Sequence, residues 1–98
     1  MGSKYLVLWE LELSRMRGDF ASVIMRMPAY AQNLREQGKL VGRYHIVGRH
    51  GGAWIYETDS NEELVRRLAM APVYNFAKYE VLPLAEMDTP QNAFKADE

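Results

Sequence analysis

The chain has 98 residues, 48% of them hydrophobic and 26% charged, which is the size and balance of one small folded domain and not of a disordered chain. Twelve Lys and Arg against thirteen Asp and Glu leave a net charge of −1 at pH 7, so nothing draws the chain toward nucleic acid or an anionic membrane. The absence of cysteine excludes disulfides, a thiolate nucleophile and a Cys-based zinc site. No apolar stretch approaches the roughly 18 residues of a membrane span, and the start shows no signal peptide, so a cytoplasmic protein is expected. The reading places one domain over residues 1–98, with its core in about residues 4–87 and a polar tail from Asp88 to Glu98. Because so small a domain buries only about 60% of its unfolded surface, self-association is expected.

Tyr5 to Leu13 is short, aromatic and branched, and predicts a first strand. Its odd positions Tyr5, Val7, Trp9, Leu11 and Leu13 make one apolar face, while the even face turns polar at Glu10 and Glu12. From Phe20, apolar residues at Val23, Ile24, Met27, Ala31 and Leu34 recur at helical spacing as far as Gly38. Pro28 should kink that helix or restart it. Val41–Arg49 and Ala53–Thr58 read as a hairpin turning at Gly51-Gly52, which would set Arg49 opposite Trp54, Val47 opposite Tyr56 and His45 opposite Thr58. Ser60 and Glu63 fit a capping box opening a second helix that ends before Pro72, and Ala77–Leu84 alternates as a fourth strand.

The order βαββαβ is the ferredoxin-like α+β plan, with two helices on one face of a four-stranded antiparallel sheet. The odd face of the first strand is expected beneath the helices. Glu10 and Glu12 then fall on the open face, where the hairpin register would add Arg43, His45, Arg49, Trp54 and Tyr56.

The runs L-R-E-Q-G-K before the second strand and R-Y-H-I-V-G-R-H within it, the helix start at Ser60, and A-P-V-Y-N-F-A-K-Y-E-V at the end together resemble the muconolactone isomerase family over Leu34 to Leu84. The resemblance implies a ferredoxin-like fold that associates through its sheets into dimeric barrels and often decamers, and a cofactor-free shift of a lactone double bond in aromatic catabolism. The chain departs from the family where Gly42-Arg43-Tyr44-His45 replaces a His-Leu-Trp-Arg-like run, and where Met25-Arg26-Met27-Pro28 replaces an acidic segment.

Isomerising an unsaturated lactone needs a base for a proton made acidic by conjugation, a donor for the dienolate oxygen, and proton return at another carbon. Glu10, Glu12 and His45 are the candidate proton carriers. The competing reading pairs the two glutamates with Arg43 or Arg49 at a subunit contact and makes His45 a hydrogen-bonded structural residue. Arg43 and Arg49 could grip an acidic substrate or bridge subunits. Trp54 and Tyr56 could wall a pocket, with the Tyr56 hydroxyl polarising a carbonyl, or simply pack. His50 reads as a loop residue, and Met16, Met25, Met27 and Met70 as core or contact filler. No metal-ligand spacing and no nucleotide-binding or nucleophile-elbow motif is present, so neither metal nor cofactor is expected.

These residues support a muconolactone-type isomerase acting on a small acidic ring within a homo-oligomer. The alternatives are a non-catalytic assembly or ligand-binding protein, whose sign would be an interior filled by Trp54, Tyr56 and Arg43, and a cyclase or aldol-type enzyme.

Overall fold

The computed structural model describes residues 2–15 and 18–88; Met16 and the tail residues 89–98 lie outside the described residues. The elements in order are β1 (Ser3–Leu11), α1 (Phe20–Met25), α2 (Met27–Glu36), β2 (Leu40–His45), β3 (Gly51–Thr58), α3 (Asn61–Ala69) and β4 (Ala77–Leu84), with short 3-10 turns at Leu13–Arg15 and Tyr74–Phe76. The four strands form one antiparallel sheet in the order β2-β3-β1-β4. This is the ferredoxin-like α+β arrangement.

Pro28 restarts the helix as its chemistry requires. The break falls at Arg26, and Pro28 occupies the first turn of α2, where a missing N–H costs nothing. Tyr5 and Val7 on the odd face of β1 join Val23, Met27, Ala31, Leu34, Leu64 and Leu68 from the helices in one buried cluster. The first strand stops at Leu11 and not at Leu13, because the chain turns there into the 3-10 segment.

The β2–β3 connection differs most from the sequence expectation. Gly51 and Gly52 are not the turn but the first two residues of β3. The chain reverses earlier, over residues 46–49, where the Arg49 N–H donates to the Ile46 carbonyl at 3.1 Å and Gly48 adopts φ +85°. Gly51 is glycine for a different reason: it faces Glu10 across the ladder, and a Cβ there would lie 1.9 Å from the Trp9 carbonyl oxygen. At Gly52 a Cβ would meet the Trp54 indole nitrogen and the Tyr44 carbonyl oxygen, each at 2.8 Å.

The resulting register pairs Arg43 with Trp54, Tyr44 with Ala53 and His45 with Gly52. None of the pairings expected from a Gly51-Gly52 turn forms. A β-bulge compounds the change. Leu40 faces Tyr56 but Gly42 faces Ile55, so Val41 is an extra residue with no partner of its own. The bulge inverts the alternation of β2, and Arg43 and His45 come out on the helix-covered side, the face of Trp54 and Tyr56.

The N-terminus of α3 is tied down as its sequence predicts, with one shift. Ser60 Oγ accepts from the Glu63 N–H at 3.1 Å, but the Glu63 carboxylate reaches back to the Asp59 N–H at 2.8 Å. Lys39 Nζ at 3.2 Å and Arg67 Nη2 at 3.3 Å complete its surroundings. The Asp59 N–H foremost, then Lys39 and Arg67, lower the Glu63 pKa from 4.5 to about 2.

Two outcomes test this fold. Gly51→Ala should lower stability by about 2 kcal/mol in denaturant titration, because the added methyl meets backbone that cannot move aside, whereas a true turn glycine replaced by the left-handed-tolerant Asn would cost little. Glu63 is more acidic folded than unfolded, so its stabilisation is complete above pH 4.5 and is lost as pH falls toward about 2. The denaturation midpoint should decline across that window, and Glu63→Gln should flatten the decline.

Candidate active site

The sheet separates the residues that the sequence reading grouped together. Arg43, His45 and Trp54 line a cleft of about 520 Å³ between the sheet and the α1–α2 break, closed on the helix side by Ile24, Met27 and Pro28. Arg35 from the last turn of α2 also lines it. Glu10 and Arg49 are on the opposite, open face, in a shallower depression of about 300 Å³ with Leu8, Lys78 and Glu80. Glu10 forms a solvent-exposed pair with Arg49 at 3.8 Å, an arrangement worth little in water. Glu12 lies past the end of β1, where it is paired with Arg15 at 3.5 Å, and so does not share a strand face with Glu10.

Trp54 organises the cleft. Its indole is buried, meets the Trp9 ring edge to face at 5.7 Å, and stacks at 6.3 Å with both Tyr30 and Tyr56. The Arg43 guanidinium lies over the same indole, 5.2 Å from the ring centroid, a cation–π contact that fixes the charge while leaving its edge donors available. Gly52, opposite His45, contributes no side chain, and the Trp54 indole nitrogen occupies the space that a Cβ there would take. The Trp9 indole nitrogen, in the wall, is a buried donor without a hydrogen-bond partner among the described residues.

Tyr56 is a wall of the core and not of the cleft. Its hydroxyl is 3.0 Å from that of Tyr30, and the Tyr30 hydroxyl donates to the Arg67 carbonyl at 2.7 Å. Since Tyr30 has one proton and spends it on Arg67, Tyr56 must be the donor to Tyr30. Burial raises the pKa of both phenols, so they stay protonated. The Tyr56 proton is thus committed inside the core and cannot polarise a substrate carbonyl.

The lining of the cleft is cationic. Among the described residues no Asp or Glu lines it, and neither Arg35 nor Arg43 has a carboxylate within ion-pair distance. The arrangement suits a small flat anion held against aromatic walls, with an imidazole at hand for proton transfer. Arg35 escaped the sequence reading, although its seven-residue spacing from Pro28 puts the two on one side of α2.

The family model of muconolactone delta-isomerase matches residues 5–89. The chain belongs to the muconolactone delta-isomerase family. It is 36% identical over 61 residues to the muconolactone delta-isomerase of Cupriavidus pinatubonensis, an alignment covering 62% of this chain and 66% of that protein. With the Acinetobacter baylyi enzyme the identity is 39% over 56 residues, covering 57% and 58% respectively. The chain thus spans 66% and 58% of the length of these two relatives. A crystal structure of muconolactone isomerase superposes with a TM-score of 0.79 at 18% identity, covering 88% of this chain and 92% of that one, and so shows a shared fold.

The placement of Tyr56 generates a direct test. Tyr56→Phe should cost about 1 kcal/mol of stability, the worth of one internal hydrogen bond, and leave ligand affinity of the cleft unchanged in a titration. Weakened ligand binding at unchanged stability would return the hydroxyl to the site.

Proposed function

We propose that this chain is a cofactor-independent isomerase of the muconolactone type, moving the double bond of a small unsaturated lactone that carries a carboxylate. The observation that carries this reading is the cleft itself, which joins an imidazole, two guanidinium groups without acidic partners among the described residues, and an aromatic wall. Its family membership supplies the reaction class. The open cleft of about 520 Å³ also argues against an interior filled by Trp54, Tyr56 and Arg43, the arrangement a purely structural protein would need.

The chemistry follows from charge. His45 takes a proton from the ring carbon conjugated through the double bond to the carbonyl. The electron pair left behind enters the ring, the double bond shifts, and negative charge collects on the carbonyl oxygen as a dienolate. The imidazolium returns the proton to the carbon next to the carbonyl, so no group is consumed. Guanidinium donors fixed in a cleft stabilise the dienolate because they need no reorganisation as the charge develops.

The open face supports a homo-oligomer. Leu6, Leu8, Ala53, Ile55 and Leu82 make its centre, and Glu10, Arg49, Lys78 and Glu80 put charges of both signs at one end, a pattern that can complement itself across a two-fold axis. In this reading Glu10 and Arg49 serve association. Among the described residues no helix is long and apolar enough to cross a membrane. We place the activity in the cytoplasm, a compartment that a chain without cysteine suits.

The test follows muconolactone by proton NMR in deuterated buffer. The wild-type chain should isomerise it, with deuterium entering the product to the extent that the exposed His45 imidazolium exchanges its proton with solvent before returning it; His45→Gln should lower turnover by about 100-fold or more, and Glu10→Gln should retain turnover. Loss in Glu10→Gln with normal turnover in His45→Gln would move the proton carrier to the open face.

A further inference from the structure

The muconolactone-type reading leaves two arginines in one cleft and does not say what each does. Their places along it differ. Only residues 37–39 separate α2 from β2, with Gly38 at φ +74° and the Lys39 N–H bonded to the Leu34 carbonyl, so β2 runs back along α2. Arg35, in the last turn of α2, is therefore beside the start of β2, and His45 ends that strand. Arg43 precedes His45 by two residues on the same face, about 6.6 Å away along the strand. The order along the cleft is Arg35, Arg43, His45.

An unsaturated lactone acid also has an order. The two carbons that exchange the proton and the carbonyl that takes the charge belong to the ring, and the carboxylate sits outside it on an arm. The donor nearest the proton carrier should meet the carbonyl oxygen, and the donor farther away should meet the arm. The two side chains suit those tasks. Arg43 is pinned over Trp54, the fixed placement that stabilising a transient charge requires. Arg35, exposed like Arg43 and like it without an ion pair among the described residues, has no such aromatic contact there, so its long stem can close on an anion already present in the ground state.

Resting on the isomerase reading, we propose that Arg35 is the specificity-determining residue of the cleft: it grips the carboxylate arm of the lactone and leaves Arg43 to the carbonyl oxygen. Substrates of this chain are then lactone acids and not their neutral esters.

The experiment compares muconolactone with its methyl ester on the wild-type protein, Arg35→Gln and Arg35→Lys. Arg35 is exposed on a helix, and both replacements are good helix formers, so the variants should fold. In Arg35→Gln, KM for the acid should rise about 10- to 100-fold, the loss expected of one charge-assisted contact. The preference for acid over ester should collapse, kcat should change less than KM, and Arg35→Lys should recover part of the preference. An unchanged preference, or a loss confined to kcat, would overturn the assignment. Should the wild type not isomerise muconolactone, the isomerase reading fails, and calorimetric titration with the same two compounds decides the role of Arg35 separately. Weaker binding of the acid alone in Arg35→Gln upholds it; equal binding by both proteins, or no binding by either, overturns it.

Discussion

One unpaired residue, Val41, decides which side of the sheet receives Arg43 and His45. In a regular ladder Leu40, Gly42 and Tyr44 would share a face, and Arg43 and His45 would point the other way. The bulge lets Leu40 stay in the core against Tyr56 while turning Arg43 and His45 to that same side three and five residues later. One inserted residue thus reconciles two demands: β2 must bury Leu40 to close the core, and must deliver its polar residues into a cleft beside that core.

The glycines opposite complete the arrangement. Gly51 lets β3 approach the Trp9 carbonyl, and Gly52 lets the Trp54 indole fold down over the strand next to His45. A Cβ at Gly51 would push β3 from β1, and one at Gly52 would collide with the Trp54 indole nitrogen and the Tyr44 carbonyl oxygen. Trp54 then serves both layers, stacking on Tyr30 and Tyr56 toward the core and carrying Arg43 toward the cleft. The rigidity of the site is borrowed from the core, since the indole that aligns the guanidinium is itself held by buried phenols whose protons are committed to one another and to the Arg67 carbonyl.

This explains what could be read from the amino-acid order and what could not. Local signals were legible: the restart at Pro28, the cap at Ser60, the alternation of Ala77–Leu84 and the apolar odd face of β1 each depend on residues within a few positions of one another. From these the ferredoxin-like order follows. Register was not legible, because Gly-Gly is both a sign of a tight hairpin and a way to allow close backbone approach, and only the three-dimensional neighbour at Trp9 distinguishes the two. A bulge leaves still less trace, since Val41 is an ordinary strand residue. The expected and observed β2–β3 registers differ by an even number, so Arg43, His45, Trp54 and Tyr56 share a face in both; what the sequence did not show is which side that is, because it is set by the pairing of β3 with β1, Tyr5 opposite Tyr56 and Val7 opposite Trp54.

The two faces also differ in how their charges are handled. On the open face acids and bases are interspersed, with Glu10 beside Arg49 and close to Lys78 on the next strand, so their fields largely cancel. In the cleft, Arg35 and Arg43 are joined by no acid among the described residues, an arrangement that favours the entry of an anion. A protein that only needed to fold or assemble would gain by placing a carboxylate near Arg43, and α2, which ends in Arg35-Glu36, has an acid one residue away that faces elsewhere. The two guanidinium groups are therefore available to an anionic ligand, the charge pattern that the proposed reaction calls for.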